Sequence, residues 1–161
     1  NFCLPDAADR KQQIQHVKDW VDHSVVVGAP VIRVFCGSNR ARIDRAKTFT
    51  WAIDGLKEAC DYAGEQGVFL AIENHGYLTE GAADVLKVVD AVDHEWFGVN
   101  LDTGNFDSHP YRDMAVMAPK AINVQVKANY RGFVALEYED EEEPLVAVPR
   151  YLKSLGAAIG G

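Results

Sequence analysis

The chain has 161 residues, 48% of them apolar and 25% charged, with a formal net charge of -8 and a pI near 5.0. That composition excludes a disordered, collagenous or membrane-spanning chain. The negative balance excludes a stable contact with nucleic acid or an anionic membrane unless a strong basic patch offsets it.

No such patch is present. The most basic stretch, Arg40–Lys47, carries four positive charges interrupted by Asp44 and reads as a solvated helix start. No apolar run is long enough to cross a bilayer. Asn1–Asp9 lacks the basic start and apolar core of a signal peptide and has no initiator Met, so it reads as the interior of a longer chain. Cys3, Cys36 and Cys60 are odd in number and form no CxxC pair. A reducing, cytoplasmic setting is expected, with Cys36 and Cys60 as small buried apolar residues.

The periodicity switches repeatedly between helical and strand patterns. Ile14, Val17, Val21 and Val25 predict one face of a helix over Asp9–Val27, stopped by Gly28. Val31–Phe35 follows as a buried strand. Ile43, Ala46, Phe49, Ile53, Leu56, Cys60 and Ala63 mark a long helix ended by Gly67, and Val68–Glu73 is the next strand. Thr79 is placed to cap a helix whose inner face carries Ala82, Leu86, Val89 and Val92. Phe97–Asp102 is a third strand, Tyr111–Met117 a short helix, Ile122–Lys127 a fourth strand and Phe133–Tyr138 a fifth. Leu145–Ala158 closes the chain as a helix. Strands separated by helices imply parallel pairing with helices covering the sheet, either a barrel or an open doubly wound sheet. No GxGxxG or GxxxxGK[ST] follows a strand, which excludes the usual dinucleotide and P-loop sites.

Chemistry in parallel α/β folds gathers at the carboxyl ends of strands. Here those ends are polar: Glu73-Asn74-His75, Asn100-Leu101-Asp102, Gln125 with Lys127, and Glu137-Tyr138-Glu139. Glu73, Asp102 and Glu137 each terminate an apolar strand. Carboxylates brought together repel, so one must protonate or a cation must sit among them. An oxygen-rich set suits Mn, Mg or Co better than zinc. The alternative is that each caps a following turn, as Asp102 is placed to do for Thr103 and Gly104.

Four segments carry a family resemblance: Leu70-Ala71-Ile72-Glu73-Asn74-His75, Val99-Asn100-Leu101-Asp102-Thr103-Gly104-Asn105, Asn123-Val124-Gln125-Val126-Lys127 and Ala135-Leu136-Glu137-Tyr138-Glu139. In this order they resemble the metal-site strands of the xylose isomerase-like TIM barrels, the sugar phosphate isomerase/epimerase group. Asn1–Asp6 and Val31–Phe35 resemble that group's middle strands. The resemblance implies a (β/α)8 barrel holding one divalent metal through Glu73, Asp102, Gln125 and Glu137. Gln125 stands where the family has His, which shifts the expected metal toward Mn or Mg, with Co or Zn as alternatives.

The implied reaction on a sugar or ketose is proton transfer through an enediolate, with Glu73 and Glu137 as the acid/base pair. His75 is placed to bind a substrate hydroxyl. Asn105 occupies a position where relatives often carry His. Lys127 and Arg33 would meet a substrate oxyanion or phosphate, or else pair with a carboxylate at the barrel mouth. His16, His23 and His94 read as surface residues, His109 as a loop residue near the mouth, and Glu139–Glu143 as a solvated run ahead of the last helix.

A complete barrel needs eight strand-helix units and about 250 residues, so this barrel is expected to be incomplete, with its first strands preceding Asn1. A second gap is expected between Lys127 and Tyr130. The link from Lys127 to Phe133 is too short for a parallel crossover of roughly a dozen residues. A hairpin would carry Glu137 on the order of 15 to 20 Å from Asp102, so a helix of about 20 to 25 residues is expected to be missing there. Residues 1–161 otherwise read as a single domain. Closure of a partial barrel by a second copy, a homo-oligomer, is the alternative. The competing functional readings are a lyase of the dehydroshikimate dehydratase type and a non-catalytic half-barrel that binds a sugar or a partner chain. An endonuclease IV-like enzyme fits poorly, since it needs more histidines and a basic groove.

Overall fold

The computed structural model describes residues 1–106 and 108–125, and within them helices and strands alternate as the periodicity predicts. Helix α1 (Ala7–Val27) starts at Asp6, whose carboxylate accepts the Ala8 and Asp9 amides at 2.6 and 3.3 Å. It ends at Gly28, whose φ of 75° is a left-handed conformation that a side chain would resist. The predicted stripe holds for Val21, which is buried, and for the half-buried Ile14 and Val17. It fails at Val25, which is 47% exposed. Ser24 is buried in its place, because its hydroxyl donates to the Val21 carbonyl at 2.8 Å and so brings no unsatisfied polar atom into the packing.

Strand β1 (Val31–Val34) leads through a loop to α2 (Arg45–Glu65). Asp44 caps this helix, its carboxylate accepting the Ala46 and Lys47 amides at 3.0 and 3.1 Å, so the basic stretch is a helix start as expected. Ile43 and Ala46 do not join the stripe. Ile43 belongs to the loop, where the Asn39 side chain binds its N–H at 2.8 Å and its carbonyl at 2.6 Å, and Ala46 is exposed. The buried face is Thr48, Ala52, Ile53, Leu56, Ala59, Cys60 and Ala63.

Strand β2 (Phe69–Glu73) is followed by α3 (Ala82–Val92). Thr79 does not cap this helix. Its hydroxyl instead donates to the His75 carbonyl at 2.9 Å, closing the turn after β2, and Gly81 takes the cap position. The inner face is Ala82, Val85, Val88, Val89 and Val92, with Leu86 half-buried beside it. Strand β3 (Phe97–Asp102), helix α4 (Pro110–Met117), a 3-10 turn (Ala118–Lys120) and strand β4 (Ala121–Gln125) complete the described elements. The predicted strand Phe133–Tyr138, the last helix and the suspected gap after Lys127 lie outside the described residues.

The four strands lie in the order β1-β2-β3-β4. Pairing is parallel from β1 to β2 and from β2 to β3, with Val34 opposite Ile72 and Glu73 opposite Asn100. An order that runs monotonically with the chain is that of a barrel wall; a doubly wound sheet would reverse it at a switch point. Alternation along β2 and β3 separates two faces. Leu70, Ile72, Val99 and Leu101 join the buried residues of α2 and α3 in one apolar core. The opposite face carries Arg33, Ala71, Glu73, Gly98, Asn100 and Asp102, which is the polar face of the sheet. No helix among the described residues is long and apolar enough to cross a membrane.

Cys3, Cys36 and Cys60 are all buried and unpaired by disulfides. Burial pushes their thiols up to about 11, 12 and 12 respectively. At pH 8 the folded protein is therefore expected to resist a colorimetric thiol reagent, all three cysteines reacting only after denaturation. Rapid labelling of any of them in the native state would contradict this burial.

Candidate active site

Glu73 ends β2 with 1% of its surface exposed, and Asp102 ends β3 with 6% exposed. Because Glu73 pairs with Asn100, Asp102 lies two residues further along the neighbouring strand on the same face. A buried carboxylate needs compensation. Among the described residues, two neighbours of Glu73 contribute to it. The Arg33 guanidinium stands 3.2 Å from Oε2, and the Asn105 side-chain amide donates to Oε1 at 3.3 Å. The Arg33 guanidinium also lies over the Phe35 ring, 4.8 Å from its centroid, which holds the cation toward the polar face. The ion pair with a mouth carboxylate, one of the two readings open for Arg33, is present.

Asp102 Oδ1 accepts the Gly104 N–H at 2.6 Å, so the turn-capping reading is realised for one of its oxygens. The backbone of Asp102 is held from the other side by the Asn74 side chain. Asn74 Oδ1 accepts the Asp102 N–H at 2.8 Å, and its Nδ2 donates to the Asp102 carbonyl at 2.9 Å. His75 is exposed, packs edge-on against Phe35 at 5.5 Å and lies with Nδ1 3.4 Å from Asn105 Nδ2. The Asn123 amide donates to Asn100 Oδ1 at 2.6 Å.

An open cleft of about 280 Å³ lies at these strand ends, lined by Asn74, His75, Glu80, Gly104, Asn105 and Phe106. A cavity of about 340 Å³ elsewhere, lined by Gln13, Trp20, Ile32 and Arg33 among others, presents no carboxylate. Cavities of about 310 and 380 Å³ present Asp54 with Glu58 and Asp84, respectively, but the strand-end cleft is the one lined by the turns that follow Glu73 and Asp102, with Glu80 as its own carboxylate. Sequence reasoning missed Glu80 and Phe106, which lie on loops with no periodic signal. It also gave no role to Asn74, although an amide next to a strand-terminal carboxylate was the available clue.

Arg33, Glu73, His75, Asp102 and Asn105 are thus brought together. Gln125 is half-buried at the end of β4, while Lys127 and Glu137 lie outside the described residues. Among the described residues no three His, Cys, Asp or Glu side chains form one group, and the candidate carboxylate ligands they include are Glu73 and Asp102. Both offer hard carboxylate oxygens with amides around them, a donor chemistry that fits a hard divalent cation. The predicted surface histidines stand apart from the cleft. His16 and His23 flank Trp20 on α1, and His94 lies 3.3 Å from Asp61. His109 caps α4 at a φ of 53° and is exposed, outside the cleft lining.

A partial parallel barrel with carboxylates at its strand ends defines the class of protein. The sequence pattern of the xylose isomerase-like TIM barrels matches residues 1–130, and the chain belongs to that family. Its fold is similar to 3-keto-D-glucoside 4-epimerase from E. coli, with a TM-score of 0.74, 13% identity, and coverage of 97% of this chain and 74% of that one. It is also similar to D-psicose 3-epimerase from Clostridium cellulolyticum H10, solved with D-tagatose, at a TM-score of 0.70, 18% identity, and 99% and 58% coverage. A xylose isomerase-like TIM barrel protein from Mycobacterium smegmatis, in complex with magnesium, matches at a TM-score of 0.65, 19% identity, and 80% and 49% coverage. The chain spans about half the length of the Clostridium and Mycobacterium structures, 58% and 49%, and 43% of a xylose isomerase domain protein from Planctomyces limnophilus that it also matches.

Proposed function

We propose that this chain carries part of the active site of a divalent-metal-dependent sugar or ketose isomerase or epimerase, which moves a proton at the carbon beside a carbonyl. The observation that carries the reading is the pair of buried carboxylates, Glu73 and Asp102, at the ends of adjacent parallel strands on one polar face. Their donor chemistry favours Mn or Mg. When bound, such a cation would supply polarisation of the substrate carbonyl and make the neighbouring C–H more acidic.

Glu73 is the described residue that takes or returns the proton, held in place by Arg33 and Asn105 on its two oxygens. Asp102 serves as a ligand. His75, Asn105 and Glu80 line the cleft with groups that donate to and accept from sugar hydroxyls. Gln125 and Glu137 remain in the proposed ligand set, and Glu137 in the acid/base pair, on the strength of the sequence resemblance alone. The epimerases and the magnesium-bound protein of the same fold support this reading.

The test is solvent exchange. The protein is incubated in D2O with a panel of free ketohexoses and either Mn²⁺ or Mg²⁺, and NMR follows deuterium entering the position next to the carbonyl. Exchange that depends on the cation and stops with EDTA is expected. A folded protein that catalyses no exchange on any ketose of the panel would overturn the reading.

A further inference from the structure

We infer that Asn74 is a positioning residue, whose side-chain amide stands in for the backbone groups of β2 and aims the Asp102 carboxylate into the site. The inference rests on the metal-site reading proposed above and adds to it a residue outside the ligand set.

The reason lies in the register. The last backbone pair of β2 and β3 is Glu73 with Asn100. Beyond it β2 turns away, and the Glu73 carbonyl is taken by the His75 N–H at 2.9 Å. The next stretch of β3, ending in Asp102, would then face β2 with an unsatisfied N–H and carbonyl in a buried place. A primary amide holds its carbonyl acceptor and one of its N–H donors side by side, so it can meet the N–H and the carbonyl of a single residue at once. Asn74, 1% exposed, presents that fork to both backbone groups of Asp102, at 2.8 and 2.9 Å. The pairing therefore continues from Asn100 to Asp102 through a side chain.

Two consequences follow for the cleft. Fixing the N–H and the carbonyl of Asp102 fixes the backbone torsions between them, and with them the direction of its Cα–Cβ bond. Nδ2 of Asn74 also reaches the Asn105 carbonyl at 3.5 Å, and the Asn105 side chain in turn donates to Glu73. One buried amide thus ties both proposed carboxylates to a single frame. Groups that orient a ligand from behind in this way typically change metal affinity by roughly 10- to 100-fold when removed.

The experiment compares wild type, Asn74→Ala, Asn74→Leu and Glu73→Gln as full chains. Mn²⁺ affinity is measured by calorimetry, and exchange of the Asp102 backbone amide by hydrogen–deuterium exchange without metal. Leu keeps the heavy-atom count and the branch point of Asn, is bulkier, and lacks the amide, so alongside Ala, which leaves space, it separates packing from hydrogen bonding. Both Asn74 variants are expected to weaken Mn²⁺ binding by roughly 10- to 100-fold and to speed Asp102 exchange, while core amides of β2 stay protected. Wild-type affinity in Asn74→Leu would overturn the inference, and so would unchanged Asp102 exchange in both variants. If wild type binds no Mn²⁺ and Glu73→Gln behaves like it, the metal-site reading fails. The hold of Asn74 on Asp102 is then decided by the exchange data alone.

Discussion

Glu73→Gln is expected to abolish the stabilisation that Mn²⁺ gives the wild-type protein and to reduce proton exchange on a ketose substrate by roughly 10²- to 10⁴-fold. The two effects have separate causes. A cation at a hundredfold excess over its dissociation constant stabilises the folded state by about 2.7 kcal/mol, a rise in Tm of roughly 5–10 °C for a chain of this size. Gln keeps the shape of Glu and one oxygen, but it lacks the charge that attracts the cation, and its amide cannot take up a proton at neutral pH. The metal-free variant should lose little stability, because Arg33 has 34% of its side chain exposed and can turn its charge to water. Thermal melts with Mn²⁺, with Mg²⁺ and with EDTA, together with the exchange assay, check both halves. A variant that keeps the metal-induced rise in Tm removes Glu73 from the ligand set, and one that keeps full exchange removes it from the proton path.

How much of this was legible in the sequence depends on the reach of each interaction. The strand-terminal carboxylates were visible because they break local patterns: Glu73 closes Phe69-Leu70-Ala71-Ile72, and Asp102 follows Val99-Asn100-Leu101. The left-handed stop at Gly28 is equally local and was read, whereas the caps Asp6 and Asp44, which act on amides only two and three residues away, were not read as caps. Thr79 shows where local reading fails. A hydroxyl two residues before Gly81 can cap the next helix or close the preceding turn, and the second outcome is settled by the path that leaves β2.

The partners that shape the site are more distant. Arg33 meets Glu73, and Asn74 meets Asp102 across 28 residues, only once the register of three strands is set by packing of α2 and α3. For Arg33 the sequence left two readings open, a substrate anion or a mouth carboxylate, because no periodicity encodes which strand lies alongside. For Asn74 the local clue, an amide beside a strand-terminal carboxylate, did not name its partners, since the amide satisfies backbone groups and those belong to no residue type.

That same pairing leads to the second large effect. Arg33→Met should destabilise the metal-free protein by about 2 kcal/mol, below the roughly 3–5 kcal/mol typical when a fully buried pair is broken, because the Arg33 side chain is partly open to water. Met preserves much of the contact with Phe35, so the loss comes chiefly from Glu73, which is 1% exposed and depends on the guanidinium at 3.2 Å for charge compensation. For a chain of this length the change corresponds to a fall in Tm of roughly 4–8 °C.

Mn²⁺ should reverse the loss. A divalent cation on Glu73 supplies the positive charge that Arg33 otherwise provides, and two cations beside one carboxylate repel each other. Arg33→Met is therefore expected to bind Mn²⁺ more tightly than wild type, by about tenfold for each 1.4 kcal/mol of repulsion removed. The double variant Arg33→Met/Glu73→Gln, with neither charge left, should be more stable than Arg33→Met alone, the coupling falling within the roughly 0.5–3 kcal/mol of contacting pairs. Melting curves of the four proteins with and without Mn²⁺ provide the check. Strictly additive losses would mean that Arg33 stabilises the fold independently of Glu73. An unchanged or weaker Mn²⁺ affinity in Arg33→Met would mean that the guanidinium and the cation do not compete for the same carboxylate.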